Sequence, residues 1–266
     1  RTLPSSSTSA LDGDQDSGHI QAAPVVDGVS TGRSEQIVKL NNKRWAVVMG
    51  NGANSVNERP VLLIQYLDGD RSLLRIVAHS SLSQSNGLSA PRLVDINGDG
   101  TMDIVYAGDL KGQLWKFNLT STNDSLWGVS VWDGSGTVCK DATTCQPLFV
   151  ATDGATEPKR QPITSAPLWM AHPLGGIQVM FGTGQNLQDS DPLNTSVQTL
   201  YALWDKSTYE NTTDGLIAAD TGAINVANGR GSLVQQSFTG AVTRTNPDTG
   251  VAEATDYSNS TSHPVK

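Results

Sequence analysis

Short apolar segments recur along the chain in three similar sets, and this repetition narrows the possible folds more than any other feature. The second segment of each set ends in a glycine, at Gly50, Gly108 and Gly182. The third segments read LLIQYLD, QLWKFNL and TLYALWD. Turn residues bound the segments, which are short and β-rich, so each is predicted to be a β-strand. A repeated four-stranded unit with glycine and aromatic residues at matching places predicts an all-β chain of β-propeller blades.

The repeats divide the sequence into three predicted parts. Residues 1–33 are expected to form a polar leading segment with part of a blade, and residues 209–266 a loop-rich tail with one or two edge strands of the same domain. The three blades between them are expected at about residues 34–80, 81–155 and 156–208. Because propellers close with roughly four to eight blades, the chain is expected to be incomplete or partial. A β-sandwich made from the same strands is the alternative.

The charge balance excludes one class of partner. The chain has 26 Asp and Glu residues against 18 Lys and Arg, a net charge of −8. A nucleic-acid partner is not expected, because no basic face exists to displace counterions from phosphates. There is also no apolar run long enough for membrane insertion and no signal peptide at Arg1, so we expect a soluble segment of a longer protein.

The stretch from Leu93 to Asp103 reads LVDINGDGTMD and alternates oxygen-bearing side chains with glycines. Ca²⁺ takes about six to eight oxygen ligands, which a short loop can supply when carboxylates and amides alternate with residues that turn. The twelfth position of an EF-hand loop would be Tyr106 here rather than glutamate, so the ninth position must close the site. The β-rich runs on either side predict a strand-loop-strand calcium site. The predicted ligands are Asp95, Asn97, Asp99, the backbone carbonyl of Thr101, and Asp103.

The same residue types also suit a hairpin turn that binds nothing, which is the alternative interpretation. Without a cation, however, three carboxylates in one short loop would repel one another. Calcium is expected in preference to Mg²⁺, which requires stricter octahedral geometry.

Two weaker features leave alternatives open. Asp12, Asp14 and Asp16 alternate like a second calcium loop, but the ninth position would be Ile20, so a solvated acidic turn is the alternative. The only two cysteines, Cys139 and Cys145, fit no usual zinc framework. They predict a small loop-closing disulfide in an oxidising compartment, and two free thiols are the alternative.

Motifs for catalysis are not visible. The chain has no GxSxG elbow, HExxH motif, P-loop or complete GxGxxG fingerprint, and its four histidines are scattered. We therefore expect a protein that is not an enzyme. Four tryptophans near the strands are expected to pack between blades: Trp45, Trp115, Trp169 and Trp204.

Much of residues 34–205 consists of three diagnostic stretches. They read IVKLNNKRWAVVMGNGANS, APRLVDINGDGTMDIVYAGDLKGQLWKFNL, and APLWMAHPLGGIQVMFGTGQNL followed by TLYALWD. The second is the most specific, because it joins the calcium loop to a blade strand. Together they resemble the C-terminal propeller of the PilY/PilC family, the large tip-associated adhesins and biogenesis factors of bacterial type IV pili.

The resemblance implies a modified quinoprotein-like propeller that is exported and binds one Ca²⁺ in a blade loop. The family's calcium ligands carry over onto the five loop residues named above. Calcium occupancy is then expected to modulate pilus extension, surface attachment and twitching motility by opposing retraction. The implied partners are minor pilins and other pilus tip components, and a host or abiotic surface. The implied location is the bacterial cell surface, at the pilus tip (fimbrium) or outer membrane.

Two other functions remain open from the sequence. A quinoprotein dehydrogenase would hold pyrroloquinoline quinone with calcium, but it needs a central cluster of polar residues that the sequence does not visibly supply. An integrin-α-like adhesion propeller carries similar loops in successive blades, whereas this chain has one complete copy.

Overall fold

The computed structural model describes most of the chain. The described residues are 14–20, 36–80, 85–130, 138–156, 158–212, 215–219, 229–235, 238–245 and 248–259. Regular structure in these stretches consists of β-strands and 3₁₀ helices of three or four residues. The described part of the chain contains no helix that is long and apolar enough to cross a membrane.

The first sheet is an antiparallel meander of four strands in sequence order. These are β1 (Ile37–Lys39), β2 (Trp45–Gly50), β3 (Val61–Tyr66) and β4 (Leu73–Val77). Buried residues alternate with more exposed ones along β2, as expected for a strand that buries one face. Its buried face includes Ala46 and Val48, and this face packs against the second sheet.

The second sheet has the same meander at its centre but six strands in all. These are β5 (Arg92–Val94), β6 (Ile104–Gly108), β7 (Gln113–Asn118), β8 (Gly128–Ser130), β9 (Val138–Cys139) and β10 (Phe149–Val150). Two short strands share one position beside β7. Phe117 pairs with Val129 of β8, while Leu114 pairs with Phe149 of β10. The fourth blade position is therefore filled in two pieces, with the cysteine-containing segment between them.

The third sheet has three strands, β11 (Leu168–Ala171), β12 (Ile177–Gly182) and β13 (Leu200–Asp205). One face of it packs on the second sheet through aromatic rings. Phe149 lies 6.2 Å from Phe181 and 5.1 Å from Tyr201, both centroid to centroid and edge-on. The second sheet is thus covered on both faces, which explains why every residue of β6 is buried.

Two of the repeated glycines have a steric reason. A Cβ atom at Gly50 would lie 2.0 Å from the carbonyl oxygen of Ser89, and one at Gly108 would lie 2.2 Å from a side-chain carbon of Ile163. In both cases the chain entering the next sheet crosses directly over the glycine. Only a residue without a side chain permits this approach.

The segment after the third sheet contains four strands in its described part, more than the one or two that the sequence indicates. β14 (Thr208–Thr212) and β15 (Gly215–Ala219) form one hairpin, and β16 (Phe238–Thr245) and β17 (Ala252–Asn259) form another. The chain divides into two compact units, residues 1–230 and 231–266, and the second hairpin belongs to the second unit.

The tryptophans follow the expected pattern only in part. Trp115 is fully buried between the first two sheets, as predicted. Trp45 and Trp169, in contrast, are 50% and 39% exposed. The prediction of inter-blade packing is therefore wrong for these two residues.

Cys139 and Cys145 form a disulfide that closes a short loop. Cys145 is buried in the core between the first and second sheets. The carbonyl oxygen of Ala142, inside the loop, accepts a hydrogen bond from the amide of Ser80 at 3.0 Å and lies 2.9 Å from Nδ1 of His79. The loop closed by the disulfide therefore packs against the end of the first sheet.

Replacing both cysteines by serine is expected to lower the free energy of unfolding by about 2 kcal/mol, because the unfolded chain regains the entropy of a short loop. Urea unfolding under oxidising conditions measures this difference. Wild-type protein in reductant should match the variant. Equal stability of the oxidised wild type and the variant would show that the bond contributes nothing to the fold.

Candidate metal centre

The predicted calcium loop connects β5 to β6 at one end of the second sheet. Its base is held by backbone hydrogen bonds, from the amide of Asp103 to the oxygen of Val94 at 2.9 Å and from the amide of Leu119 to the oxygen of Asp103 at 2.8 Å. Residues 97–100 are exposed, whereas Thr101 and Asp103 are buried. The tip of the loop is thus open to solvent while its second half is anchored in the protein.

Asp95 organises the first half of the loop. Its two carboxylate oxygens accept hydrogen bonds from the amides of Gly98 at 2.7 Å and Gly100 at 2.8 Å. Both glycines have a positive φ, 74° and 82° respectively, which L-residues with side chains rarely adopt. The glycine spacing therefore turns the backbone so that its N–H groups surround the first carboxylate.

Asn97 and Asp99 repeat this arrangement further along the loop. The side-chain oxygen of Asn97 accepts from the amide of Asp99 at 3.1 Å. Oδ1 of Asp99 accepts from the amide and the hydroxyl of Thr101, at 2.8 and 2.5 Å. The Thr101 hydroxyl is the main reason that the pKa of Asp99 lies below its ordinary value. Asp99 is therefore ionised at neutral pH and available to a cation.

Asp103 differs from the other acidic residues of the loop because it is fully buried. Oδ2 accepts from the amide of Ile96 at 2.9 Å, and Oδ1 accepts from Nδ2 of Asn41 at 2.8 Å. Burial raises the pKa of Asp103, the two hydrogen bonds oppose this, and the charges of Asp95 and Asp99 raise it further. A cation in the loop would offset that repulsion.

The loop contains ligands of suitable types, but their oxygen atoms are not arranged around one common point. Within the described residues, no group of three or more His, Cys, Asp or Glu side chains is arranged to hold a metal ion. Both oxygens of Asp95 and Oδ2 of Asp103 accept from loop amides, but an oxygen that accepts one hydrogen bond keeps a further lone pair. The donor set contains only oxygen, with three carboxylates, one amide and one carbonyl, and this set fits Ca²⁺. Asp95, Asn97, Asp99, Thr101 and Asp103 are therefore the residues that could hold it.

The second acidic stretch is neutralised by arginines. Asp16 is buried and receives two hydrogen bonds from Arg59, at 2.7 and 2.8 Å, and Asp14 pairs with Arg75 at 3.0 Å. Burial alone would raise the pKa of Asp16, but the hydrogen bonds from Arg59 and Asn57 outweigh burial and lower it. Because these positive charges already occupy the site, the described residues do not support a second cation site. Asp12 lies outside the described residues.

Sequence reasoning missed Asn41, which belongs to the turn between β1 and β2 yet contacts the calcium loop. From the sequence, an asparagine between two short strands indicates only a turn. Its partner Asp103 lies far away in the sequence, so no local spacing could have revealed the contact.

The sequence also matches a family model described as the PilY1 β-propeller domain, over residues 9–242. The chain belongs to this family. The family resemblance inferred from three stretches of sequence is thereby confirmed, and so is the all-β propeller fold.

Curated relatives and a solved structure agree with this assignment. The type IV pilus biogenesis factor PilY1 of Pseudomonas aeruginosa strain PAO1 is 36% identical over 209 residues, which is 76% of this chain and 17% of the relative. A PilY1 homologue from Xylella fastidiosa is 36% identical over 178 residues, 64% of this chain and 12% of the relative. The crystal structure of the P. aeruginosa PilY1 C-terminal domain aligns with a TM-score of 0.71 and 30% identity, covering 96% of this chain and 48% of that one. The chain thus spans less than a fifth of the length of these curated relatives.

Proposed function

We propose that this chain is the calcium-binding part of a type IV pilus biogenesis factor, and that Ca²⁺ occupancy of the loop between β5 and β6 modulates pilus extension, surface attachment and twitching motility. The observation that carries the proposal is the loop itself. It places three carboxylates, an amide and a carbonyl in one short hairpin on a propeller sheet. Relatives named as pilus biogenesis factors support the biological setting.

The loop's own residues suggest how it would respond to calcium. The exposed tip gives a cation access from solvent, and the positive φ angles of Gly98 and Gly100 let the backbone turn around it. Bound Ca²⁺ would supply positive charge that offsets the repulsion among Asp95, Asp99 and Asp103. Since binding to the folded loop stabilises that fold by RT ln(1 + [Ca]/Kd), a loop of modest affinity would report external calcium.

The proposal assigns a role in assembly and adhesion rather than catalysis. Its partners would be pilus tip components, including minor pilins, and a host or abiotic surface, and its location would be the pilus tip or the outer surface of the cell. The names of the relatives as biogenesis factors favour this setting.

The test is made in the full-length protein in a piliated bacterium, with Asp99→Ala as the variant and Asp189→Ala as a matched control. Asp189 is an exposed aspartate outside the loop. We expect wild type and control to display fewer surface pili and smaller twitching zones when calcium is chelated. The Asp99→Ala strain should have the low pilus count and the small twitching zone both with and without calcium. If its pilus count and motility respond to calcium like those of wild type, the loop does not regulate the pilus.

A further inference from the structure

Asn41 connects the first sheet to the calcium loop of the second through a single buried amide. The residue is 6% exposed. Its Nδ2 group lies 2.8 Å from Oδ1 of Asp103, 3.1 Å from the carbonyl of Met102 and 3.0 Å from the carbonyl of Leu119. All three acceptors belong to the loop or to the end of β7, so one side chain from another sheet holds the base of the loop.

The amide oxygen of Asn41 faces the loop as well. It lies 3.0 Å from Oγ1 of Thr101, and the same hydroxyl lies 2.5 Å from Oδ1 of Asp99. A hydroxyl has one proton to donate, and the shorter distance favours the charged carboxylate as its acceptor. The two ends of the Asn41 amide therefore contact two of the predicted ligand residues, Thr101 and Asp103, at the same time.

Backbone contacts reinforce this junction. The amide of Met102 donates to the carbonyl of Lys39 at 3.0 Å, and Leu40 and Met102 form a parallel β-bridge. The turn that carries Asn41 is itself closed by the amide of Lys43, which donates to the carbonyl of Leu40 at 2.8 Å. The second half of the calcium loop is thus fastened to the β1–β2 turn of the first sheet.

We propose that Asn41 is a positioning residue for the calcium loop, and that it couples ion occupancy to the packing of the first sheet against the second. The inference rests on the proposed calcium function. Asn41 and the Ile96 amide are the groups that hold the two carboxylate oxygens of Asp103, the residue predicted to close the site. Without Asn41, that carboxylate loses one of its two donors and is free to turn. A ligand whose supporting hydrogen bond is removed binds its metal more weakly, typically by about 10- to 100-fold.

Calcium titration of three variants tests the positioning role. Asn41→Ala removes the amide, and Asn41→Leu removes it while keeping a side chain of similar volume. Asn42→Ala is the matched control, since Asn42 lies in the same turn but donates to Tyr66 and Asp124 rather than to the loop. We expect both Asn41 variants to raise the calcium Kd by about 10- to 100-fold and the control to leave it within about twofold.

The outcomes separate positioning from a structural effect and from failure of the site itself. If both Asn41 variants unfold at lower temperature in chelator but bind calcium like wild type, Asn41 only stabilises the fold, and the inference is wrong. If Asn41→Leu binds like wild type while Asn41→Ala does not, packing rather than hydrogen bonding is responsible. If wild type itself binds no calcium, the proposed function fails and the inference falls with it.

Hydrogen exchange of wild-type protein gives a readout that does not depend on the variants folding. Calcium should slow exchange at the amide of Met102, which donates to the carbonyl of Lys39 in the first sheet. It should also slow exchange at the amide of Leu40, next to the β1–β2 turn. At a calcium concentration ten times Kd, hydrogen exchange should be slower by about tenfold. The reason is that exchange requires the loop to open and release the ion, and bound calcium makes this opening rarer. The amide of Val179 in the third sheet is the internal control. Protection confined to residues 95–103, with Leu40 unchanged, would overturn the coupling.

Discussion

Replacing Lys116 by methionine is expected to lower the free energy of unfolding by about 3 to 5 kcal/mol, because it leaves a buried carboxylate without its counter-charge. Lys116 on β7 is fully buried, and its Nζ lies 2.8 Å from Oδ2 of Asp205 at the end of β13. Tyr106 donates to the same oxygen at 2.5 Å, and Ser207 donates to Oδ1 at 2.5 Å. The cluster therefore joins the second sheet to the third through buried polar side chains.

A double variant shows whether the loss comes from the unpaired charge. In Lys116→Met/Asp205→Leu neither charge remains. The loss of unfolding free energy should therefore be smaller than the sum of the losses in the two single variants. The partly exposed pair of Arg44 and Asp68 at the surface is the matched control, and Asp68→Asn should change stability far less. Additive effects in the double variant, or a negligible loss in Lys116→Met, would contradict the account.

The same pair predicts a pH dependence with a definite sign. Burial alone would raise the pKa of Asp205, but the charge of Lys116 and the hydrogen bonds outweigh it and hold the pKa below its ordinary value. A carboxylate with a lowered pKa stabilises the folded state above the unfolded pKa of about 3.9, and this contribution is lost as the pH falls through the folded pKa. Without Lys116, burial raises the pKa of Asp205. Protonation then removes the unpaired negative charge that destabilises the folded state. The stability deficit of Lys116→Met should therefore shrink as the pH is lowered towards about 4.

Calcium should raise the unfolding free energy of wild type and leave that of Asp99→Ala unchanged. At a calcium concentration of about 100 times Kd, linkage predicts a gain of about 2.7 kcal/mol for one site. In chelator the two proteins should differ little in unfolding free energy, because Asp99→Ala removes a charge that repels Asp103 but also removes the carboxylate that accepts hydrogen bonds from Thr101.

Urea unfolding of wild type, Asp99→Ala and the control Asp189→Ala, each with calcium and with chelator, measures both effects. Asp189→Ala should gain as much from calcium as wild type. A calcium-dependent gain in Asp99→Ala that equals the wild-type gain would place the ion elsewhere on the protein.

The features that sequence alone predicted correctly are local or repeated. Gly50 and Gly108 recur because the next sheet crosses over each of them, and a glycine that recurs at one place in a repeat is visible without a structure. The alternation of Asp95, Asn97 and Asp99 with glycine is also local, and the predicted strand-loop-strand hairpin is confirmed, with the backbone turned around Asp95. The binding of calcium by these residues stays a prediction.

The features that sequence reasoning missed depend on contacts between distant segments. The periodicity of QLWKFNL gives no sign that Lys116 is buried, because its partner Asp205 lies in another sheet. Asp14 and Asp16 resemble a calcium loop in the sequence, but in the folded chain they form ion pairs with Arg75 and Arg59. Trp45 and Trp169 have aromatic side chains suited to a core, yet they lie on faces that the described residues leave partly exposed.

Isothermal titration of the wild-type protein with Ca²⁺, repeated with Mg²⁺, tests the central claim most directly. The account predicts one Ca²⁺ per chain, much weaker binding of Mg²⁺, and loss of the calcium signal in Asp99→Ala. Absence of calcium binding, or binding that survives in Asp99→Ala with the same affinity and stoichiometry, would show that the loop from Asp95 to Asp103 is a polar turn and not a metal site.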